Sequence, residues 1–273
     1  GAITANYWLS EIYDNEIAEA HRSAAMHIHD LSMLTGYCAG WSLKQLILEG
    51  LGGVPGKITS SPAGHLSTLC NQMVNFLGIM QNEWAGAQAF SSFDTYLAPF
   101  VKVDNLTQKE VKQCIQSFIY GVNTPSRWGT QAPFSNITLD WVCPPDLADQ
   151  PAIVGGKEMD FTYGDCKKEM DMVNKAFIEI MIEGDANGRG FQYPIPTYSI
   201  TRNFDWSETE NNKLLFEMTA KYGTPYFSNY INSDMEPSDV RSMCCRLRLD
   251  LRELRKKSGG FFGSGESTGS IGV

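Results

Sequence analysis

The sequence predicts an α/β fold. Helical periodicity in residues 161–184 and 208–222 alternates with short runs rich in β-branched and aromatic residues at 135–141 and 191–200. Helices that alternate with strands are typical of a sheet covered by helices. The chain has 273 residues, which is enough to bury one large core or two modest ones.

In the first part of the chain the pattern is mainly helical. Residues 6–22 carry apolar side chains at helical spacing, and residues 43–49 predict a second helix that ends at Gly50. Residues 65–100 predict a long helical region. Its apolar positions cover more than one face, so we expect it to pack on two sides and to lie at a subunit interface.

The middle of the chain begins with a capping box. Thr107 and Glu110 stand three residues apart at the start of a helix that runs to about Tyr120. Residues 123–134 contain prolines and a glycine, which predicts a loop. Residues 135–141 alternate in polarity and include β-branched side chains, which predicts a strand.

The later part of the chain continues the alternation. Residues 161–184 predict an amphipathic helix. Residues 184–190 predict a turn whose backbone amides could bind an anion, although the turn lacks the spacing of a P-loop. Residues 191–200 predict a strand, and their prolines favour an edge strand or an irregular one. A helix at 208–222 and a short strand that starts within 223–227 complete the pattern.

Composition and charge exclude several classes of protein. The formal net charge is −9, which argues against binding of a nucleic-acid polymer but is compatible with a nucleotide held by helix N-termini. No apolar run is long enough to span a bilayer, and the first residues do not resemble an export signal. The seven cysteines lack a disulfide-like spacing, and the sequence has no CxxC pair that would predict a metal site. We therefore expect a cytoplasmic protein without a zinc site.

Two adjacent cysteines stand out near the end of the sequence, in Ser242-Met243-Cys244-Cys245-Arg246-Leu247. Neighbouring cysteines do not easily form a disulfide, because the bond would strain the trans peptide between them. Each sulfur therefore has a separate role. The glycine-rich run 259–273 follows, and it predicts flexible backbone that approaches a ligand closely.

Three other residues carry possible chemistry. His27 and His29 alternate in a short extended segment, so both imidazoles face one side. A metal site, a structural histidine pair and an active-site role are all compatible with this spacing. Cys38 has small neighbours that let other groups approach its sulfur, although a buried cysteine also serves as a small apolar side chain.

Seven stretches, in the same order along the chain, resemble the anaerobic (class III, glycyl-radical) ribonucleoside-triphosphate reductases. They are Met26-His27-Ile28-His29-Asp30-Leu31, Tyr37-Cys38-Ala39-Gly40-Trp41, Gly86-Ala87-Gln88-Ala89-Phe90, Thr124-Pro125-Ser126-Arg127-Trp128-Gly129, Pro133-Phe134-Ser135-Asn136-Ile137-Thr138, Met243-Cys244-Cys245-Arg246 and Thr268-Gly269-Ser270-Ile271-Gly272-Val273. A lone pair of cysteines would be a weak signal, but collinear matches over nearly the whole chain are a strong one.

The resemblance implies the first half of a glycyl-radical-enzyme type α/β barrel. In it, residues 65–100 supply long interface helices and residues of about 235–270 form a central cysteine finger loop. Residues 1–273 would form a single, partial catalytic domain. The family's ATP cone, four-cysteine zinc site and glycyl-radical segment have no counterpart in this sequence, so we expect the isolated chain to be inactive.

The resemblance also implies roles for individual residues. Cys245 matches the position of the radical cysteine, Cys38 that of a reductant on the opposite face of the sugar, and Cys244 adds a further thiol. The residues expected to bind substrate are Ser135, Asn136, His27, His29, Thr268, Gly269 and Ser270. Those expected to bind an effector nucleotide are Gln81, Glu83 and Gln88.

Cofactors and partners follow from the same resemblance. The small molecules are a nucleoside triphosphate substrate and a nucleoside triphosphate effector. The glycyl radical would lie on a segment outside this sequence, either in cis or on a second polypeptide. The protein partners are a radical-SAM activating enzyme and a second copy of the chain in a homodimer. The reductant is expected to be a redoxin dithiol rather than formate, because Cys244 and Leu247 replace the glycine and serine typical of formate-dependent members, and Ser270 lies near the position of an asparagine.

Two alternatives stay open at this point. A glycyl-radical enzyme of the pyruvate formate-lyase type also carries a finger-loop cysteine. A non-catalytic regulatory or assembly module would act through residues 65–100 and would tolerate the loss of Cys38 and Cys245.

Overall fold

The computed structural model describes residues 1–34, 36–52, 55–56, 58–125 and 132–234, together with the backbone of 240–242, 248–250 and 268–271. Its α-helices are α1 (Ala2–Tyr7), α2 (Asn15–Arg22), α3 (Leu43–Glu49), α4 (Leu66–Met80), α5 (Phe93–Val103), α6 (Gln108–Asn123), α7 (Pro145–Ala148), α8 (Lys167–Glu183) and α9 (Glu210–Tyr222). A π-helical turn, Trp8–Ile12, follows α1, and a 3₁₀ turn, Tyr163–Cys166, precedes α8.

The strands form one large sheet and two hairpins. They are β1 (Gly36–Trp41), β2 (Gln88–Phe90), β3 (Ser135–Leu139), β4 (Pro151–Val154), β5 (Lys157–Thr162), β6 (Ile195–Ile200), β7 (Tyr226–Asn229), β8 (Val240–Ser242), β9 (Arg248–Asp250) and β10 (Thr268–Ile271). The large sheet has the order β10-β1-β2-β3-β6-β7, in which β1, β2, β3, β6 and β7 are parallel and β10 is antiparallel. The predicted α/β class is confirmed, and closure into a barrel stays a prediction.

One face of the sheet packs against the helices. Phe90, Ile137 and Tyr198 point to this face from β2, β3 and β6, and each is 0% exposed. The helical residues in the same core include Leu69, Met73, Phe93, Phe118, Phe177, Leu215 and Met218. Full burial of a side chain of this size stabilises the fold by about 1.5–3 kcal/mol, so this face holds the sheet and its crossover helices together. Among the described residues, no helix is long and apolar enough to cross a membrane.

Local sequence signals predicted several elements well. Helix α3 ends at Gly50, whose φ is 73°, and α6 begins with a complete capping box between Thr107 and Glu110. Helix α9 and strands β3 and β7 lie within about three residues of the predicted bounds. In the predicted loop 123–134, residues 126–131 lie outside the described part.

The long helical region predicted at 65–100 is wrong as a single element. Helix α4 ends at Met80, and strand β2 lies between α4 and α5. Alanine and glutamine in β2 favour a helix locally, but pairing with β1 and β3 decides the conformation. The predicted helix at 6–22 is also interrupted, because Tyr13 is extended between the π-helical turn and α2.

Two further predictions need correction. Residues 157–162 form β5 of the β4–β5 hairpin, so the helix predicted from residue 161 begins only at Lys167. Strand β6 is not an edge strand, because it pairs with β3 on one side and β7 on the other despite Pro196.

The turn predicted to cradle an anion is occupied by its own carboxylate. Asp185 Oδ1 accepts hydrogen bonds from the backbone N–H groups of Asn187 and Arg189, at 2.8 and 2.9 Å. These bonds lower the pKa of Asp185. The turn therefore binds the chain's own negative charge rather than an external one.

A buried pair of aspartates joins α5 to the end of β3. Asp94 accepts hydrogen bonds from the backbone N–H groups of Thr95, Asp140 and Trp141 and from the side-chain amide of Asn174, at 2.8–3.0 Å. Strand β3 ends here, because Trp141 adopts a positive φ of 66°. Burial raises the pKa of Asp94, but its four hydrogen bonds act in the opposite direction by stabilising the carboxylate. We therefore assign the negative charge of the pair to Asp94.

Asp140 is the protonated member of the pair. Burial and the charge of Asp94 raise its pKa to about 8, although hydrogen bonds from Thr95 and Ser92 act in the opposite direction. Two interacting carboxyl groups in the interior do not both ionise readily, so the pair keeps one proton, on Asp140, at neutral pH.

Replacing Asp140 with Asn is expected to reduce the pH dependence of stability. The folded parent holds the Asp140 proton up to a pH of about 8, whereas the unfolded chain releases it near the ordinary value of 3.8. The contribution of Asp140 to the free energy of unfolding is therefore complete below pH 3.8 and is lost as the pH rises toward about 8. Denaturant unfolding at the two ends of this window should show a smaller fall in the free energy of unfolding for Asp140→Asn than for the parent.

The exposed Asp149 gives a matched control for this measurement. In Asp149→Asn the free energy of unfolding should fall with pH as much as it does in the parent. Equal slopes for the parent and Asp140→Asn would contradict the assignment of the proton to Asp140.

Candidate functional site

The face of the sheet opposite the helices is lined by small and polar side chains. Because side chains alternate along each strand and paired residues share a face, this set follows from the register of the five parallel strands. Its small and polar members are Cys38, Gly40, Ala87, Ala89, Asn136, Thr138, Thr197, Ser199 and Ser228. Ile195 and Tyr226 lie on the same face, because they pair with Asn136 and Thr197. We call this surface the polar face.

Cys38 lies on the polar face at the start of the sheet. It is 3% exposed, is not in a disulfide, and packs against Ala87. A Cβ atom added to Gly86 would lie 2.8 Å from Cys38 Sγ and 2.8 Å from the carbonyl oxygen of Tyr37. Only glycine therefore lets the backbone before β2 pass this close to the thiol.

Asn136 is the second notable residue on this face. It is 2% exposed, yet neither its Oδ1 nor its Nδ2 atom has a hydrogen-bond partner among the described residues. Thr138 Oγ1, two residues along β3, is also buried without a described partner. An unpaired buried polar group costs about 1–3 kcal/mol, so such groups in a native protein call for an explanation such as a ligand.

Strand β10 brings a distant part of the sequence beside Cys38. Gly269 pairs with Ala39, and Ile271 pairs with Gly36. Between these pairs, β1 has the two residues Tyr37 and Cys38 where β10 has only Ser270, so a β-bulge lies opposite the thiol. The predicted substrate-binding stretch Thr268 to Ser270 and Cys38 are therefore adjacent in the sheet.

A single row across the sheet connects β10 with Asn136. Thr268 pairs with Gly40, Gly40 with Ala89, and Ala89 with Asn136. At about 4.8 Å per strand, the backbones of Thr268 and Asn136 are about 14 Å apart. Gly40 has no side chain and Ala89 has a small one, so another group can approach the sheet closely between Thr268 and Asn136.

Other predicted residues lie elsewhere. Ser135 precedes Asn136 in β3, so its side chain points to the opposite, helix-covered face. Gln88 is also on that face and is 0% exposed. Its Oε1 accepts from Trp41 Nε1 at 2.9 Å and its Nε2 donates to the Leu77 carbonyl at 3.2 Å. Substrate binding by Ser135 stays a prediction, as does effector binding by Gln88.

The remaining effector residues follow α4. Gln81 is 5% exposed, whereas Glu83 is exposed in the turn before β2. An effector site formed by the three residues stays a prediction.

The two predicted histidines form a cluster with a third. His29 Nδ1 lies 3.4 Å from His27 Nε2, and both side chains are exposed. Their rings face one side as predicted, although the segment is not a regular strand. Sequence analysis missed His21, whose ring contacts His27 and whose Nδ1 accepts from the N–H of Ile28 at 3.1 Å. Among the described residues, no group of three or more His, Cys, Asp or Glu side chains is arranged to hold a metal ion.

Cys244 and Cys245 lie outside the described residues. The strands on either side of them, β8 and β9, pair antiparallel, with Ser242 opposite Arg248. Their predicted roles therefore stay predictions.

The whole sequence matches the model of one protein family. Residues 1–273 match the family described as anaerobic ribonucleoside-triphosphate reductase. The chain belongs to this family. This match favours the reductase over the pyruvate formate-lyase type. Comparison with curated protein sequences found no match.

Solved structures show the same fold. The anaerobic ribonucleotide reductase from Thermotoga maritima in complex with dATP and CTP is 20% identical, with a TM-score of 0.62 over 85% of this chain and 41% of that chain. The same enzyme with citrate in the active site is 23% identical, with a TM-score of 0.63 over 85% of this chain and 45% of that chain. The present chain thus spans less than half the length of these reductases.

Adding a side chain at Gly86 is expected to destabilise this part of the reductase fold. Gly86→Val would place its Cβ against Cys38 Sγ and backbone atoms of Tyr37, and overpacking of this kind costs about 1–3 kcal/mol. Denaturant unfolding measures the loss. Gly64→Ala is the control, because no heavy atom lies within 4 Å of its added Cβ. An equal free energy of unfolding for the two variants would show that the close approach at Gly86 is not required.

Proposed function

We propose that this chain is part of an anaerobic ribonucleotide reductase that converts ribonucleoside triphosphates to deoxyribonucleoside triphosphates by thiyl-radical chemistry. The main supporting observation is that β10 connects two residues of the polar face. The thiol of Cys38 lies at the β-bulge beside β10, and the unpartnered amide of Asn136 lies on the row of paired residues that starts at Thr268. Family membership supports the reaction class.

In this proposal the chain's residues bind the sugar and deliver hydrogen. Asn136 and Thr138 bind ribose hydroxyls through their buried polar atoms, and Thr268, Gly269 and Ser270 bind substrate beside Cys38. Cys38 donates hydrogen when the 2′-hydroxyl leaves as water. A glycyl radical outside this sequence would supply the hydrogen-atom acceptor that makes Cys245 reactive toward the 3′-hydrogen. His27 and His29 are additional candidates for substrate binding.

Asn136→Leu is expected to separate activity from stability. Removing two unpaired buried polar atoms while keeping a similar volume should change the free energy of unfolding by less than about 1 kcal/mol or increase it. Loss of a sugar contact that orients the substrate should lower turnover of the intact, activated enzyme by about 100-fold. Denaturant unfolding and a deoxynucleotide assay measure the two effects.

Asn212 provides a matched control for this substitution. It is also buried, at 3% exposed, but its Nδ2 donates to the carbonyls of Asp205 and Ser207, both at 2.7 Å. Asn212→Leu should therefore destabilise the fold by about 1–3 kcal/mol. Full turnover in both Asn136→Leu and Cys38→Ser would contradict the catalytic proposal and favour a non-catalytic module.

Dimerisation and effector binding belong to the same proposal. Helices α4 and α6 pack together, and between them lies a groove of about 390 Å³. Ile79 of α4 and Tyr120 of α6 are 57% and 40% exposed, which supports a contact with a second copy of the chain. Nucleotide effectors would bind near this interface and near Gln81 and Glu83. A radical-SAM enzyme would install the glycyl radical, in the cytoplasm.

The electrons are proposed to come from a redoxin dithiol rather than from formate. Cys38 and Cys244 would close a disulfide as they reduce the substrate, while Cys245 carries the radical. A thiolate of the redoxin would then reopen this disulfide by exchange. Cys244 therefore has a chemical role that a glycine at this position lacks.

This choice of reductant is tested with the intact, activated enzyme. Reduced redoxin alone should support turnover and formate alone should not, because only a dithiol reopens the disulfide. Cys244→Ser should abolish turnover with redoxin, whereas Cys166→Ser, a change in the 3₁₀ turn before α8, should leave it intact. Turnover on formate without a thiol donor, unchanged by Cys244→Ser, would show that the proposal is wrong.

A further inference from the structure

A separate cavity lies at the carboxyl ends of β3, β6 and β7. Its volume is about 230 Å³, and its polar lining includes Asp140, Cys143, Ser199, Thr201, Arg202 and Tyr230. Asp140 lies four residues beyond Asn136, so it is about 13 Å from Asn136 along the direction of β3. In open parallel sheets, ligands commonly bind at this carboxyl edge.

Backbone hydrogen bonds tie the walls of the cavity together. The N–H of Tyr230 donates to the carbonyl of Ile200 at 2.9 Å, which joins the segment after β7 to the end of β6. Arg202 donates from a guanidinium nitrogen to the carbonyl of Ile231 at 3.3 Å. The N–H of Val142 donates to the carbonyl of Asp140 at 2.7 Å. These bonds fix the cavity before any ligand binds, which lowers the entropic cost of binding.

The guanidinium of Arg202 gives the lining of the cavity a cation. Arg202 makes no ion pair with any acidic side chain of the described residues. Burial raises the pKa of the Cys143 thiol to about 12, so this group is neutral. Asp140 is also neutral at physiological pH, because burial and the charge of Asp94 raise its pKa to about 8. The guanidinium is then the one formal charge on the described lining.

We propose that this cavity binds a small monocarboxylate, held by the guanidinium of Arg202 and by a hydrogen bond from the carboxyl group of Asp140. Its volume is below the range of roughly 300–1,000 Å³ for drug-sized ligands, so the acid is small. Val142, Pro144 and Pro145 provide an apolar wall for its hydrocarbon part. A single guanidinium matches a single carboxylate, whereas a phosphate dianion would lack a second cation.

The site predicts a definite pH dependence. The groups that act on Asp140 are the charge of Asp94 on α5, the side chains of Ser92 and Thr95, and the charge of Asp146 on α7. Cys143 and Arg202 line the same cavity. When Asp140 loses its proton, it stops donating to the ligand and repels it. The affinity should therefore be constant well below pH 8 and should fall by up to about tenfold per pH unit above it.

Titration with ¹³C-labelled acetate tests the site. The natural protein that contains this chain should bind acetate saturably at pH values below 8, with a dissociation constant on the order of 1 mM. Arg202→Gln should weaken binding by at least about tenfold, since it removes the charge-assisted bond. Arg189→Gln, in the exposed turn after α8, should bind as the parent does. Asp140→Asn should bind acetate with the same affinity above and below pH 8.

Several outcomes would overturn the site. Absence of saturable binding, or unchanged binding in Arg202→Gln, would do so, because acetate would then have no site or a different one. Affinity of the parent that does not change across pH 8 would exclude the contact with Asp140. Tighter binding of inorganic phosphate than of acetate would overturn the assignment to a monocarboxylate. Arg202 is exposed, so its substitution tests the site without depending on the folding of the Asp140 variant.

Discussion

The parallel register of β1, β2 and β3 is the constraint on which both sides of the sheet depend. It places large apolar side chains such as Phe90 and Ile137 against the helices, and it leaves small or polar side chains on the other face. The same register requires glycine at Gly86, because the backbone passes directly beside the thiol of Cys38. Packing of the core and access to the thiol are therefore consequences of one strand arrangement.

The buried aspartates connect this arrangement to the other end of the sheet. Asp94 binds the backbone at the point where β3 ends, and it thereby fixes α5 to β3. The cost of burying its charge is offset by the donors around it and by the proton on Asp140. The Cys38 thiol thus lies on the polar face, and the buried Asp94–Asp140 pair lies at the carboxyl end of β3.

Local signals account for the elements that were predicted correctly. Gly50 ends α3 and the Thr107–Glu110 capping box begins α6, and both signals depend only on neighbouring residues. Strand β2 was missed because it has only three residues, of which Gln88 and Ala89 favour a helix locally and only Phe90 favours a strand. Its conformation depends on two neighbouring strands that are distant in sequence.

The sequence by itself determined the family, the α/β class and the residue types available for chemistry, because motifs and periodicity are local properties. Only the tertiary structure decided which of these residues share a face. Ser135 and Asn136 are adjacent in sequence but point to opposite sides, because strand side chains alternate. Likewise, the proton on Asp140 depends on Asp94 and on burial, and neither the distance between the two carboxylates nor their exclusion from water can be read from the order of residues.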